Sequence, residues 1–281
     1  MNEMKKAFEQ ALAEDWKKHK MQTKLHGAVE YALQSGGKRF RPLIVLSVAE
    51  SLDAMPAALC VEYFHTASLI ADDLPCMDDD DLRRGKPSLH RAFNETTALL
   101  ASYALICAGF EKIHTNTEIL ARSSGAELAA KAGMLALDQA SKAAGIEGAT
   151  GGQFLDLFPP SSDLDTLLEI LRLKTVTLFE TAFVLGWIFG GKDVEALPVL
   201  RRAAAHFGMA FQIGDDLIDL RQDRPGGANI AIELGAEKAS RLFDEQMQGF
   251  DECLKCLGLE SSGLAALRNL LVSYLAPATS V

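Results

Sequence analysis

A chain of 281 residues with 48% apolar and 23% charged side chains has the make-up of a folded globular protein with a substantial core, which excludes a disordered polymer. Its net charge of −10 disfavours a general nucleic-acid binder, although an acidic protein can still take a phosphorylated substrate through bridging metal ions. Five cysteines at irregular spacing do not form the framework of a disulfide-stapled secreted domain.

The chain opens with MNEMKKAFEQALAEDWKKHK, a charged amphipathic helix without the apolar core of a signal peptide. GGKRFRP, residues 36–42, taken alone is a basic turn. AALCVEYFHTASLIADDL, TALLASYALICAGFEKI, TVTLFETAFVLGWIFGG and VLRRAAAHFGMAFQIGDDLIDL are apolar runs too long for strands. Glycine and proline breakers, such as Gly36-Gly37, Pro56, Gly151-Gly152, Pro159-Pro160 and Gly190-Gly191, divide the chain into roughly ten helices. No run approaches the ~18 apolar residues of a membrane span. The expectation is one all-α domain over 1–281, a helical bundle around a central cavity, in a reduced, cytoplasmic setting. Cys253 and Cys256 form a lone C-x-x-C, read as two thiols on a helix and not as a zinc half-site.

Two acidic stretches carry the chemistry. ADDLPCMDDDDLRRGKPSLH, residues 71–90, crowds Asp72, Asp73 and Asp78 to Asp81 together and then reverses charge at Arg83, Arg84 and Lys86. An acidic run alone is usually a solvated face. The second stretch, FQIGDDLIDL at 211–220, is harder to dismiss, because its carboxylates are set among apolar residues. Asp215 and Asp219 are four apart and share a helical face with Gln212. Aspartate oxygens are hard ligands suited to Mg²⁺, which takes a few carboxylates alongside substrate phosphates. Two such clusters facing one cavity would clamp a diphosphate. His65 lies seven residues before Asp72, two helical turns away on the same face.

With these motifs in order, the sequence resembles the short-chain trans-polyprenyl diphosphate synthases, the farnesyl and geranylgeranyl diphosphate synthases, from about Tyr31 to Lys238. DDLPCMD matches the first aspartate motif of that family in its DDxxxxD form, and DDLID the second; GGKRFRP, GGQFLDL at 151–157 and Lys174-Thr175 match as well. The resemblance implies the isoprenoid synthase fold and a Mg²⁺-dependent condensation of isopentenyl diphosphate with an allylic diphosphate. It assigns Mg²⁺, three ions in all, to Asp72, Asp78 and Asp215, with Asp219 in support. It assigns Arg83, Lys174, Thr175 and Gln212 to the allylic diphosphate and the developing cation. It assigns Lys38, Arg41, His65 and Arg84 to isopentenyl diphosphate. Gln153 and Asp156 match family positions, with a structural role equally open. Ala67 and Ser68, small residues five and four before Asp72, would leave room for a product beyond fifteen carbons. A homodimer is implied, with helix 178–190 as core or interface.

The sequence departs from the family in three places. The lysine that usually follows the second motif is missing until Lys238, with Arg221 or Arg224 as candidates to replace it. Val176 stands where a glycine usually follows Lys-Thr, and YLAPATSV replaces a basic tail. Three other readings are weighed. A weak partner subunit would not need both aspartate motifs. A class I terpene cyclase would not need Lys38, Arg41, His65 and Arg84. A structural bundle would not pair acidic and basic sites in order.

Overall fold

The computed structural model describes residues 1–19, 22–220, 229–260 and 262–275. The chain forms two compact units, Met1–Leu137 with Phe189–Gly191, and Asp138–Ile188 with Lys192–Val281.

The first unit holds α1 (Asn2–Lys17), α2 (Lys24–Leu33), α3 (Phe40–Ala49), α4 (Met55–Asp72), a hairpin of β1 (Leu82–Arg83) and β2 (Lys86–Pro87), α5 (Leu89–Ala92), α6 (Glu95–Ser124) and the start of α7 (Ala126–Ala144). Helix α1 is amphipathic as expected and buries Phe8, Leu12 and Trp16 at spacings of four. Its Asp15 accepts from Tyr63 Oη of α4 at 2.6 Å and from Lys112 Nζ of α6 at 2.9 Å. This half-buried carboxylate is therefore paired on both oxygens and ties three helices together. Helix α4 packs on α6, where Ser102 Oγ donates to the carbonyl of Ala67 at 3.0 Å. Asn94 caps α6 by accepting from Thr97 N at 2.8 Å.

Helix α6 corrects the expectation about membrane spans. It is long and apolar enough to cross a membrane by length and composition, yet 44% of its most apolar window is buried in the fold. A core helix passes the same test, and the buried Lys112 and Asn116 of α6 have protein partners.

The second unit holds α8 (Ala149–Leu157), α9 (Leu164–Leu171), a π-helical turn (Arg172–Val176), α10 (Thr177–Phe189), α11 (Leu197–Asp219), α12 (Ile230–Leu234), α13 (Ala236–Leu257) and α14 (Gly263–Leu275). Helix α11 packs on α13 around Phe179, Phe183, Phe207 and Phe250, with Phe207 and Phe250 ring centroids 5.2 Å apart. Helix α10 is buried along its length, from Leu178 and Phe179 to Ile188, so segment 178–190 is core and offers no interface. Cys253 is buried and Cys256 exposed on α13, and both are free thiols.

The described residues form the expected all-α bundle of ten or more helices, the shortest of them, α5 and α12, being single turns. The short hairpin is the departure from all-helical structure among them.

Candidate functional site

In the first unit the acidic stretch begins at a helix end. Pro56 opens α4 in its first turn, and Asp72 is its last residue. Three residues on, Pro75 cannot continue the helix, and the chain turns. The N–H of Met77 donates to Leu74 O at 2.8 Å and that of Asp78 to Asp72 O at 2.9 Å. The turn brings the backbones of Asp72 and Asp78 together. Asp72 is half-buried and Asp78 exposed.

Asp73 behaves differently. It is 3% exposed, and Arg83 Nε donates to its Oδ1 at 2.8 Å. Burial pushes its carboxyl above the usual aspartate range, and Arg83 opposes that shift. Arg83 also pairs with Asp80 at 3.0 Å. The second aspartate of the doublet is therefore an internal anchor for Arg83, while Asp72 and Asp78 face outward.

Between β1 and β2 the turn residues Arg84 and Gly85 both have positive φ, 54° and 77°, the type I′ pattern. A non-glycine residue in this region is strained by about 1 kcal/mol, and such strain collects at functional sites. Arg84 is held by a hydrogen bond from Nη1 to the carbonyl of Gly36. Gly37, at φ 135°, lies directly against it: a Cβ there would come 2.7 Å from Arg84 Cζ. The Gly-Gly pair thus admits the arginine.

Of the basic residues that follow, Arg39 turns inward. Its guanidinium pairs with Glu62 of α4 and with Glu9 of α1 at 2.9 Å, and donates to Leu33 O at 2.8 Å. These contacts pin the loop that carries Lys38, which is half-buried. Arg41 Nη1 lies 3.4 Å from His65 Nε2. Burial first, then the charges of Arg41, Arg84, Arg39 and Arg83, hold His65 well below the ordinary imidazole range, so the ring is neutral. A neutral histidine among four guanidinium groups marks a field suited to an anion. Behind it on α4, Ala67 is buried at 1% exposure and Ser68 half-buried.

In the second unit, Lys174 and Thr175 sit in the π-helical turn, a distortion frequent at functional sites. Helix α8 packs against this turn through Gly152, where a Cβ would come 2.4 Å from Lys174 N. Lys174 Nζ donates to Asp156 Oδ2 at 2.6 Å, which gives Asp156 a specific partner. Both polar atoms of the neighbouring Gln153 side chain are buried without a hydrogen-bond partner.

Thr175 Oγ1 donates to Gln212 Oε1 at 2.9 Å, and Gln212 Nε2 donates to Asp216 Oδ1 at 2.8 Å. Asp216 Oδ2 accepts from Ile230 N at 2.8 Å. Gln212 therefore serves Asp216, one turn on, among its resolved bonds. Asp216 is 4% exposed, and burial pushes its carboxyl up to about 6 against these hydrogen bonds, with Asp215 and Asp219 adding to the rise. Asp215 is half-buried and Asp219, the last residue of α11, exposed. Val176 is buried, and Val176 Cα would lie 3.2 Å from a Cβ on Gly208 of α11, so the two elements are close at this point.

The first unit thus gathers Arg41, His65, Arg83 and Arg84 with the acidic loop, and the second gathers Lys174, Thr175 and Gln212 with the aspartates of α11. Arg221 and Arg224 lie outside the described residues, as does the tail beyond 275. Sequence reasoning missed Arg39, Glu62, Asp73 and Asp216 as the buried anchors. For Glu62 and Asp216 the usable signal was charge on helices otherwise largely apolar.

The donor set fits Mg²⁺. Among the described residues no group of three or more His, Cys, Asp or Glu side chains forms a ready cage. Mg²⁺ bound with a diphosphate asks for one or two carboxylates and takes its other oxygens from substrate and water. Asp72 with Asp78, and Asp215 with Asp219, could supply such carboxylates.

A sequence model described as polyprenyl synthetase matches residues 22–234. The chain is 39% identical over 257 residues to geranylgeranyl pyrophosphate synthase 7, chloroplastic, of Arabidopsis thaliana, covering 81% of this chain and 72% of that protein. It is 39% identical over 223 residues to farnesyl diphosphate synthase of Bacillus subtilis, covering 77% and 73%. Its fold is similar to that of a geranyltransferase from Helicobacter pylori complexed with magnesium and isoprenyl diphosphate, with TM-score 0.82, 29% identity, and 97% and 96% of the two chains covered.

Proposed function

The chain belongs to the polyprenyl synthetase family and is a prenyltransferase, and we propose that it condenses isopentenyl diphosphate with dimethylallyl, geranyl and farnesyl diphosphates. Geranylgeranyl diphosphate is the favoured product and farnesyl diphosphate the shorter one. Because the family match spans both units, they are read as one functional domain.

Asp72 and Asp78 in the first unit, and Asp215 supported by Asp219 in the second, would hold Mg²⁺, three ions in this reading, which when bound would supply positive charge to the allylic diphosphate as it leaves with its bonding pair. Arg83 and Lys174 donate to the allylic diphosphate oxygens, Lys174 giving up Asp156 to do so. Thr175 Oγ1 and Gln212 line the path of the allylic cation. Lys38, Arg41 and Arg84 hold the diphosphate of isopentenyl diphosphate, and neutral His65 adds an uncharged hydrogen bond. The C1–O bond of the allylic substrate breaks, the double bond of isopentenyl diphosphate attacks C1, and the proton it loses passes to the released diphosphate. No side-chain nucleophile takes part. Apolar helices exclude water that would quench the cation.

The observation that carries this reading is the basic cluster around His65, with Arg41 Nη1 3.4 Å from its Nε2 and Arg84 held at the carbonyl of Gly36. A terpene cyclase uses a single diphosphate and has no need of this second anion site. Calorimetry with isopentenyl diphosphate alone tests it. Binding to wild type that is lost in Arg41→Ala is expected. No binding to wild type would favour a cyclase.

A cytoplasmic homodimer completes the reading. Support for the dimer comes from apolar side chains exposed on α6 and α7, among them Leu100, Tyr103, Leu128 and Met134. Five free thiols accord with a reducing compartment. Sedimentation giving a dimer is expected, and an active monomer would refute it.

A further inference from the structure

We propose that His90 is a positioning residue that holds the acidic loop of the first unit in its metal-binding arrangement by donating its Nε2–H to Asp79. This rests on the reading of Asp72 and Asp78 as metal ligands.

The His90 side chain is 2% exposed. Its Nδ1 lies 3.1 Å from Ser88 Oγ, a hydroxyl able to donate to it. With Ser88 Oγ as the donor, the ring proton lies on Nε2. Nε2 is buried and has no hydrogen-bond partner. An N–H left so is costly, and each such group in a native fold calls for a reason. Asp79 Oδ1 lies 4.0 Å away. A shift of roughly 1 Å would make a hydrogen bond of ordinary length.

Asp79 is placed to transmit that contact. It follows Asp78 directly and is held at φ 51°, a left-handed conformation that aspartate tolerates at some cost. Its N–H donates to Leu74 O at 3.2 Å. Arg91, next to His90, reaches the same oxygen at 3.4 Å and pairs with Asp81 at 2.5 Å. Two adjacent residues of α5 thus face the loop, one on its surface and one buried beneath it. The exposed Arg91 pair is weak. The buried N–H of His90 is the stronger anchor once Asp79 closes on it, and closure fixes the backbone from which Asp78 projects.

Three single variants, one double variant and a binding measurement without turnover test this. His90→Asn keeps a group near Ser88 and removes the Nε2 donor, and His90→Gln restores a donor near Nε2. Asp79→Asn tolerates the left-handed backbone and removes the charge. Mn²⁺ binding in the presence of inorganic diphosphate is followed by calorimetry, with thermal midpoints alongside. His90→Asn and Asp79→Asn are each expected to weaken Mn²⁺ binding about tenfold, the usual scale for groups that orient a metal ligand. The double variant is expected to lose no more than either single one, and His90→Gln to recover most of the loss. Additive losses, wild-type affinity in both single variants, or no recovery in His90→Gln would overturn the proposal. Should His90→Asn not fold, the exposed Asp79→Asn decides alone. If wild type binds Mn²⁺ with diphosphate while the variants match it, His90 has no such role. If wild type binds none, the metal reading itself has failed.

Discussion

The N–H of Asp78 donates to the carbonyl of Asp72 at 2.9 Å, closing a loop at the end of α4. The two aspartates are too far apart in sequence for one helical turn, and the loop achieves what an i,i+4 spacing achieves within a helix. Asp73, between them, turns inward to Arg83.

Asp72→Ala should therefore lower turnover by at least about 10²-fold, the scale seen when a group stabilising developing charge is removed. The metal-free thermal midpoint should be unchanged or higher, since one of a set of repelling carboxylates is gone. Steady-state kinetics with a thermal melt checks both. Unchanged turnover would remove Asp72 from the metal site.

Arg84 and Gly37 should behave as a pair. Arg84→Ala is expected to raise KM for isopentenyl diphosphate by roughly 10- to 100-fold, the worth of a hydrogen bond to a charged group, with a smaller effect on the allylic substrate. Gly37→Ala should reproduce that pattern with Arg84 intact, because its Cβ would occupy the place of the guanidinium. A Gly37→Ala enzyme with wild-type KM values would uncouple the two.

Much of this was legible in the sequence, for physical reasons. Helix α10 is apolar apart from Thr177, Glu180 and Thr181 and is almost wholly buried, and Phe8, Leu12 and Trp16 mark the inner stripe of α1. Asp215 and Asp219 were readable because helical periodicity places i and i+4 together. The rest depends on contacts between residues distant in the chain. Arg39 reads as one more base in a basic turn, and only the fold brings it to Glu62, 23 positions away. Asp216 reads as half of an acidic doublet, yet it accepts from Ile230, 14 positions on. The π-helical turn at Lys174 is packed closely against Gly152, a contact between distant residues that local propensity does not encode.

The buried Asp216 carboxyl carries a pH signature. Its folded value of about 6 lies above the ordinary aspartate value of 3.8, so the folded state binds a proton more tightly than the unfolded chain. Ionisation therefore costs stability above pH 6, and the cost vanishes as pH falls through 6 toward 4. Relative to Asp216→Asn, metal-free wild type should gain up to about 3 kcal/mol between pH 7.5 and pH 4. Denaturant unfolding of both proteins across that range checks the sign. A constant difference would place the titration elsewhere.

Ala67 is 1% exposed, with its carbonyl bonded to Ser102 of α6, so a larger side chain must displace its neighbours. Ala67→Phe should shift product toward farnesyl diphosphate or shorter, with overpacking costing about 1–3 kcal/mol of stability. Product analysis by chain length, paired with a melt, separates the two effects. An unchanged distribution would put the floor of the chain-length cavity on another helix.

The most direct measurement is a condensation assay of the purified protein with Mg²⁺, labelled isopentenyl diphosphate and each allylic primer in turn, with products resolved by length. Label is expected in geranylgeranyl diphosphate from dimethylallyl, geranyl and farnesyl primers, and nowhere when Mg²⁺ is chelated. Label that stops at fifteen carbons with farnesyl diphosphate unconsumed would contradict the product assignment, and no labelled product from any primer would contradict the function itself.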